Sequence, residues 1–199
     1  MPQKLLLPKN QYLASGIHIG MKQKTKDMKD FIYKIRPDGL AVLNLRKIDE
    51  RIRIAAKFLS RLDKILVTTR KSIAFSIIKK FGEAIKAEVV TGRFMPGTLT
   101  NPKYKKYIEA EAVVILDPLT DLQALKEAVK ANVPVVAVCD TINETRDVDL
   151  IIPANNKGKR AIGLLFWLLA REILKERKEI KSDSEFKLKL EDFIGKEEG

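Results

Sequence analysis

Cysteine occurs once in this 199-residue chain, at Cys139, and histidine once, at His18. A lone cysteine excludes an intrachain disulfide and a thiolate-rich metal site, and it fits a reducing cytoplasm. A lone histidine leaves a Ser–His–Asp set one base to build on, and no G-x-S-x-G elbow accompanies it. His18 stands between Ile17 and Ile19, the setting of a packed, hydrogen-bonded ring, while Cys139 ends a strand-like run, the setting of a buried, inert thiol. Long apolar runs are missing as well. The longest, Ala161–Ala170, has ten residues, whereas a bilayer-spanning helix needs about twenty. No basic segment leading into a long apolar run opens the chain, so no secretory signal is expected. Neither G-x-G-x-x-G nor G-x-x-x-x-G-K-[ST] occurs; Asn44-Leu45-Arg46-Lys47 stands where the first would follow a strand. Dinucleotide and P-loop readings therefore fail. Acid is also scarce: 26 Asp and Glu face 38 Lys and Arg, a net charge of +12. In a chain with 45% hydrophobic residues, that excess points to a polyanion, nucleic acid first and an anionic membrane surface second.

What is present is a change of pattern along the chain. Residues 1–36 carry eight Lys or Arg against two acids, and Met21–Lys29 (MKQKTKDMK) is too polar to pack. We expect an exposed basic N-terminal arm over 1–36, an α/β domain over 37–178 and a polar C-terminal tail over 179–199. Phe31-Ile32-Tyr33 fits a short edge strand. From Leu40 onward apolar runs alternate with helical stripes. The runs are Leu40–Leu45, Ile65–Thr69, Glu88–Thr91, Ala112–Leu116, Pro134–Val138 and Val148–Ile152. Ile48, Ile52, Ala55, Leu59 and Leu62 make one stripe; Ala74, Ile77, Ile78 and Phe81 make another. Thr120-Asp121-Leu122-Gln123 has capping-box spacing and opens a helix carried by Leu122, Leu125 and Val129. Asn156–Lys178 reads as a long helix. Fully apolar strands between amphipathic helices imply a parallel sheet covered on both faces, a three-layer doubly wound α/β domain.

Ligands of such sheets sit beyond the carboxyl ends of the strands. Asp117 and Asp140 fall there, placed either to serve as an acid/base or magnesium pair or merely to cap their loops. With Arg70 and Arg93 they would suit a phosphorylated small molecule. Basic groups are the broader signal. Lys22, Lys24, Lys26 and Lys29 line the arm. Arg70, Lys71, Arg93, Lys103, Lys105 and Lys106 fall at loops, and Asn156, Lys157, Lys159 and Arg160 gather at the start of the long helix, where free N–H groups favour phosphate. The stretch from Gly92 to Asn101 has two glycines, a proline and no acid, and it leads into Lys103-Tyr104-Lys105-Lys106-Tyr107. So long a connection is functional or disordered, and its Phe94, Met95 and Leu99 argue for order. It reads as a lid over a sheet edge or as an RNA-facing loop. Trp167 lies off the main stripe of the long helix, which is apolar nearly all round. Either the amino-terminal segment covers it or it anchors another protein.

Six phrases, in order, carry a resemblance. They are Tyr12–Gly20 (YLASGIHIG), FIYKIRPDGLAVLNL from Phe31, GRFMPGTLTN from Gly92, DPLTDLQALKEA from Asp117, VPVVAVCDT from Val133 and IIPANNKGKRAIGLLFWLLAREIL from Ile151. Together they resemble the S-two/SA family of small-subunit ribosomal proteins, on its archaeal–eukaryotic branch, from about Tyr12 to Leu174. The resemblance implies a flavodoxin-like domain without enzymatic activity or cofactor, bound to ribosomal RNA and neighbouring ribosomal proteins near the head–body junction. It makes Gly92–Asn101 and Asn155–Gly158 the signature loops. The long helical hairpin of bacterial relatives has no counterpart here. No membrane or small-molecule partner is expected on this reading.

Overall fold

The computed structural model of the chain describes residues 5–186 and 188–194, Ser184 by its backbone alone. Its elements are α1 (Lys9–Ser15), β1 (Ile32–Ile35), β2 (Ala41–Leu43), α2 (Leu45–Leu59), β3 (Ile65–Thr69), α3 (Phe75–Ile85) and β4 (Glu88–Thr91). There follow β5 (Ala112–Ile115), α4 (Leu122–Lys130), β6 (Val135–Cys139), β7 (Leu150–Pro153), α5 (Lys159–Glu176) and α6 (Leu190–Ile194). Five parallel strands form one sheet in the order β4-β3-β5-β6-β7. This is the doubly wound order 2-1-3-4-5, reversing between β3 and β5.

The β-branched runs become strands because both sheet faces are covered. Every residue of β3, β5 and β6 is buried. Right-handed crossovers running in opposite directions from the switch point place α3 on one face and α4 on the other. On the α3 face, α5 packs between α2 and α3, with Phe81 and Phe166 meeting edge to face at 4.9 Å. Ala161–Phe166 and Leu168–Arg171 are buried on this helix. Its all-round apolar character follows from neighbours on every side: the sheet, α2, α3, α1 and α6.

Leu40–Leu45 does not join this sheet. β2 pairs antiparallel with β1, and Ile19 bridges Val42 on its other side. Ala41 and Leu43 are buried within that small ribbon, which satisfies an apolar run as well as a parallel sheet does. On α4 the buried residues are Ala124, Leu125, Glu127 and Ala128, whereas Leu122 and Val129 are 46% and 43% exposed. The capping box does not form either. The Thr120 hydroxyl donates to Asp117 Oδ2 at 2.7 Å, and Asp121 stands at the N-cap.

The first and last described segments both pack on the same core. Tyr12, Ile17 and Met28 are fully buried. The Tyr12 hydroxyl donates to Asp49 Oδ1 at 2.6 Å, the Leu6 amide donates to the same oxygen, and Arg53 pairs with Asp49 Oδ2 at 3.0 Å. Burial and the neighbouring Asp49 carboxylate push the Tyr12 phenol well above its ordinary pKa. At the other end Phe193 is fully buried. Trp167 Nε1 donates to the Leu188 carbonyl at 2.8 Å, with the Phe186 ring 5.7 Å away. The chain's own C-terminal segment therefore covers Trp167, and Leu7 and Gln11 of the amino-terminal segment line the same cleft.

Candidate nucleic-acid interface

The crevice between the carboxyl ends of β3 and β5, where a doubly wound sheet ordinarily takes its ligand, is filled by the chain's own side chains. Lys71 Nζ lies 2.7 Å from Asp117 Oδ2 and donates to the Asn156 carbonyl and side-chain oxygens at 2.9 and 3.2 Å. Asn143 Nδ2 donates to Asp117 Oδ1 at 2.7 Å, as does the Leu119 amide at 3.1 Å. Asn156, fully buried, donates to Asn143 Oδ1 and to the Leu116 and Val138 carbonyls, stitching β5 to β6. Burial alone would raise the Asp117 pKa, but Lys71, Thr120 and Asn143 outweigh it and hold the carboxyl below its usual range. Asp121 is different. Burial pushes it up to about 7; its Oδ1 accepts from the Arg70 amide at 2.7 Å while Oδ2 has no partner among the described residues.

Asp140 accepts from the Thr141 amide at 2.6 Å, and burial raises its pKa. Each acid thus caps or braces its own loop, and Asp117 is ion-paired as well. Among the described residues no cluster of three or more His, Cys, Asp or Glu is placed to hold a metal ion. Cys139 is buried and its thiol pushed far up by that burial. The His18 ring is half-buried, and burial lowers its pKa. Lys71 and Asn156, read from sequence as binding groups, face inward.

The lysine-rich segment crosses the end of β6. The Thr25 amide donates to the Thr141 carbonyl at 2.9 Å and the Thr25 hydroxyl to the Asn143 carbonyl at 2.8 Å. Asp27 accepts from the Thr145 amide and hydroxyl. A Cβ at Gly20 would lie 2.5 Å from Thr141 Cγ2, so only glycine permits this close approach. The backbone is held, Met28 is fully buried, and Lys22, Lys24, Lys26 and Lys29 stay exposed. Lys157 is exposed beside Asp140 at the same end of the sheet. Arg70 is exposed at the end of β3. The Asn155 side chain accepts from the Lys157 and Gly158 amides at 2.9 and 3.2 Å, shaping the entry to α5, whose first turn carries Lys159 and the exposed Arg160.

Residues 92–111 replace a crossover helix between β4 and β5. They are ordered by two devices. Phe94 and Leu99 insert into the core, 3% and 5% exposed. The buried Glu127 carboxylate accepts from the Gly97 amide at 2.9 Å and the Leu99 amide at 3.1 Å, with Gln123 donating at 2.8 Å. Gly97 has φ +95°, a conformation L side chains rarely adopt. The loop presents Arg93, Lys103, Lys105 and Lys106 to solvent. Arg93 stands at the carboxyl end of β4, while Lys106 lies further back, in a cleft with Val89 and Tyr107. The exposed cations therefore form two groups, one over the ends of β3, β6 and β7 and one along the β4 edge. Glu127 escaped sequence reading because it lies within an ordinary amphipathic helix; its one trace is an acid on the face occupied by Ala124 and Ala128.

The profile of ribosomal protein S2 matches residues 12–110 and 105–176. The small ribosomal subunit protein uS2 of Picrophilus torridus is 49% identical over 195 residues, covering 97% of this chain and 98% of the relative. The uS2 proteins of Thermoplasma acidophilum and Thermoplasma volcanium are each 48% identical over the same coverage. With a profile spanning most of its length and relatives this similar from end to end, the chain belongs to the ribosomal protein S2 family.

Proposed function

We propose that this protein is a non-catalytic structural constituent of the small ribosomal subunit in the cytoplasm, holding ribosomal RNA and neighbouring ribosomal proteins. The observation that carries the reading is a frame of fixed backbone bearing unpaired cations. Lys22, Lys24, Lys26, Lys29, Arg70, Arg93, Lys103, Lys105, Lys106 and Lys157 form no salt bridge among the described residues, and most sit on segments anchored to the core. Phosphate contacts position such a protein on RNA without reading sequence. Lys159 and Arg160 extend the same edge. The rival reading, a pocket for a phosphorylated small molecule at Arg70, Arg93, Asp117 and Asp140, loses its crevice to the Lys71–Asp117–Asn156 network.

The test is binding to small-subunit rRNA fragments as a function of salt. Each phosphate contact contributes about −0.7 to −0.9 to the slope of log K against log salt. We expect Lys22→Ala with Lys24→Ala and Lys26→Ala to flatten that slope, while the charge-matched set Lys79→Ala, Lys126→Ala and Lys130→Ala leaves it unchanged. Absence of RNA binding at low salt would overturn the reading.

A further inference from the structure

A groove of about 770 Å³ opens beside the β1–β2 ribbon. Leu5, Leu13, Val42, Leu43 and Leu45 give it an aliphatic lining, and Tyr33 stands at its side. Leu13 and Tyr33 are 42% and 67% exposed, which leaves a contiguous apolar surface in water. Lys9, Lys34, Arg36 and Arg46 rim it, and no carboxylate lines it. Arg36 pairs with Asp38 outside the groove, but Lys9, Lys34 and Arg46 have no ion pair among the described residues. His18 also lines it, and burial lowers its pKa.

We infer that this groove docks an acidic, aliphatic-rich segment of a neighbouring protein in the small subunit. The inference rests on the ribosomal reading and assigns one of its protein contacts. Charge complementarity fixes the sign of the partner, because a cationic rim without acids repels a basic segment and steers an acidic one. The lining decides between protein and RNA. Bases stack on aromatic faces, and the groove offers only Tyr33 and the half-buried His18 against five aliphatic residues, Leu5, Leu13, Val42, Leu43 and Leu45, that match Leu, Ile or Val. The partner is thus a segment whose aliphatic residues enter the groove while its Asp or Glu residues meet Lys9, Lys34 and Arg46.

Photocrosslinking from the groove tests this. The full-length chain carries p-benzoyl-phenylalanine in place of Tyr33, is incorporated into archaeal small subunits, and is irradiated there. The expected crosslink is to one protein segment rich in Asp or Glu and aliphatic residues. Made as a synthetic peptide, that segment should bind the free chain, and Lys34→Glu with Arg46→Glu should weaken it about tenfold or more without lowering the melting temperature. A crosslink to rRNA alone, a crosslink to a segment without acids, no crosslink, or charge reversal that leaves peptide affinity unchanged would each overturn the groove and leave the ribosomal reading standing. A chain that never enters the subunit would overturn both.

Discussion

Asp117 is held by Lys71, Thr120, Asn143 and the Leu119 amide, and its surroundings decide what substitution does. Asp117→Ala strands the Lys71 ammonium, only 16% exposed, and removing one partner of such a pair costs about 3–5 kcal/mol. Lys71→Met should cost less, because Asp117 keeps its three other donors. Urea unfolding at pH 7 of the two variants checks the order. Asp121 sets a pH dependence of opposite sign to a salt-bridged carboxylate. Its folded pKa, about 7, lies above its ordinary value of 3.8. Its contribution is complete below pH 4 and is lost as pH rises through 7, so this group lowers stability between those limits. We expect the melting temperature to fall from pH 5 to 8 and Asp121→Asn to reduce the fall; an equal fall in the variant would refute the assignment. At this scale the sequence was partly legible. Asp117 and Asp140 stood out by position, and the capping they were weighed for is what they do. Asn143, which donates to Asp117, and Asn156, which donates to Asn143, come from loops 13 residues apart in the chain, a pairing no local pattern announces.

Among the elements, the irregular connection of residues 92–111 and the C-terminal segment respond to single changes. Glu127→Gln sets an amide donor against the Gly97 or Leu99 N–H, and an unmade buried hydrogen bond costs about 1–3 kcal/mol. Hydrogen exchange at those two amides should speed up, which separates loosening of the loop from general destabilisation. Phe193→Ala removes a fully buried ring and should cost about 3–5 kcal/mol. The single Trp167 should then emit at longer wavelength as the C-terminal segment loosens; unchanged emission and stability would contradict the packing described. Strands β3, β5 and β6 were legible because burial on both faces leaves an unbroken apolar run. β2 was legible as a strand but not in its pairing, since such a run does not name its partner strand. The stripe on α4 held at Leu125 alone, because the small Ala124 and Ala128, not Leu122 and Val129, are buried beside it. The loop's order was signalled by Phe94 and Leu99, but its anchor, Glu127, lies 30 residues beyond its last glycine at Gly97 in an unrelated helix, well past the reach of local pattern.

For the whole molecule, charge of +12 on a rigid frame is the property that function uses. A protein folded around a closed crevice, with its cations facing outward on docked segments, is suited to bracing a large polyanion. Composition announced the polyanion, and the ordered phrases from Tyr12 to Leu174 announced the family. The division of Lys71 and Asn156 from the solvent-facing cations needed the fold, because burial is a tertiary property. The most direct measurement is sedimentation of the tagged full-length chain with archaeal small subunits at low salt. We expect the wild-type chain to travel in the small-subunit fraction and the combined Lys22→Glu, Lys24→Glu and Lys26→Glu variant to be depleted from it while still folded. A folded wild-type chain that stays at the top of the gradient would contradict the assignment.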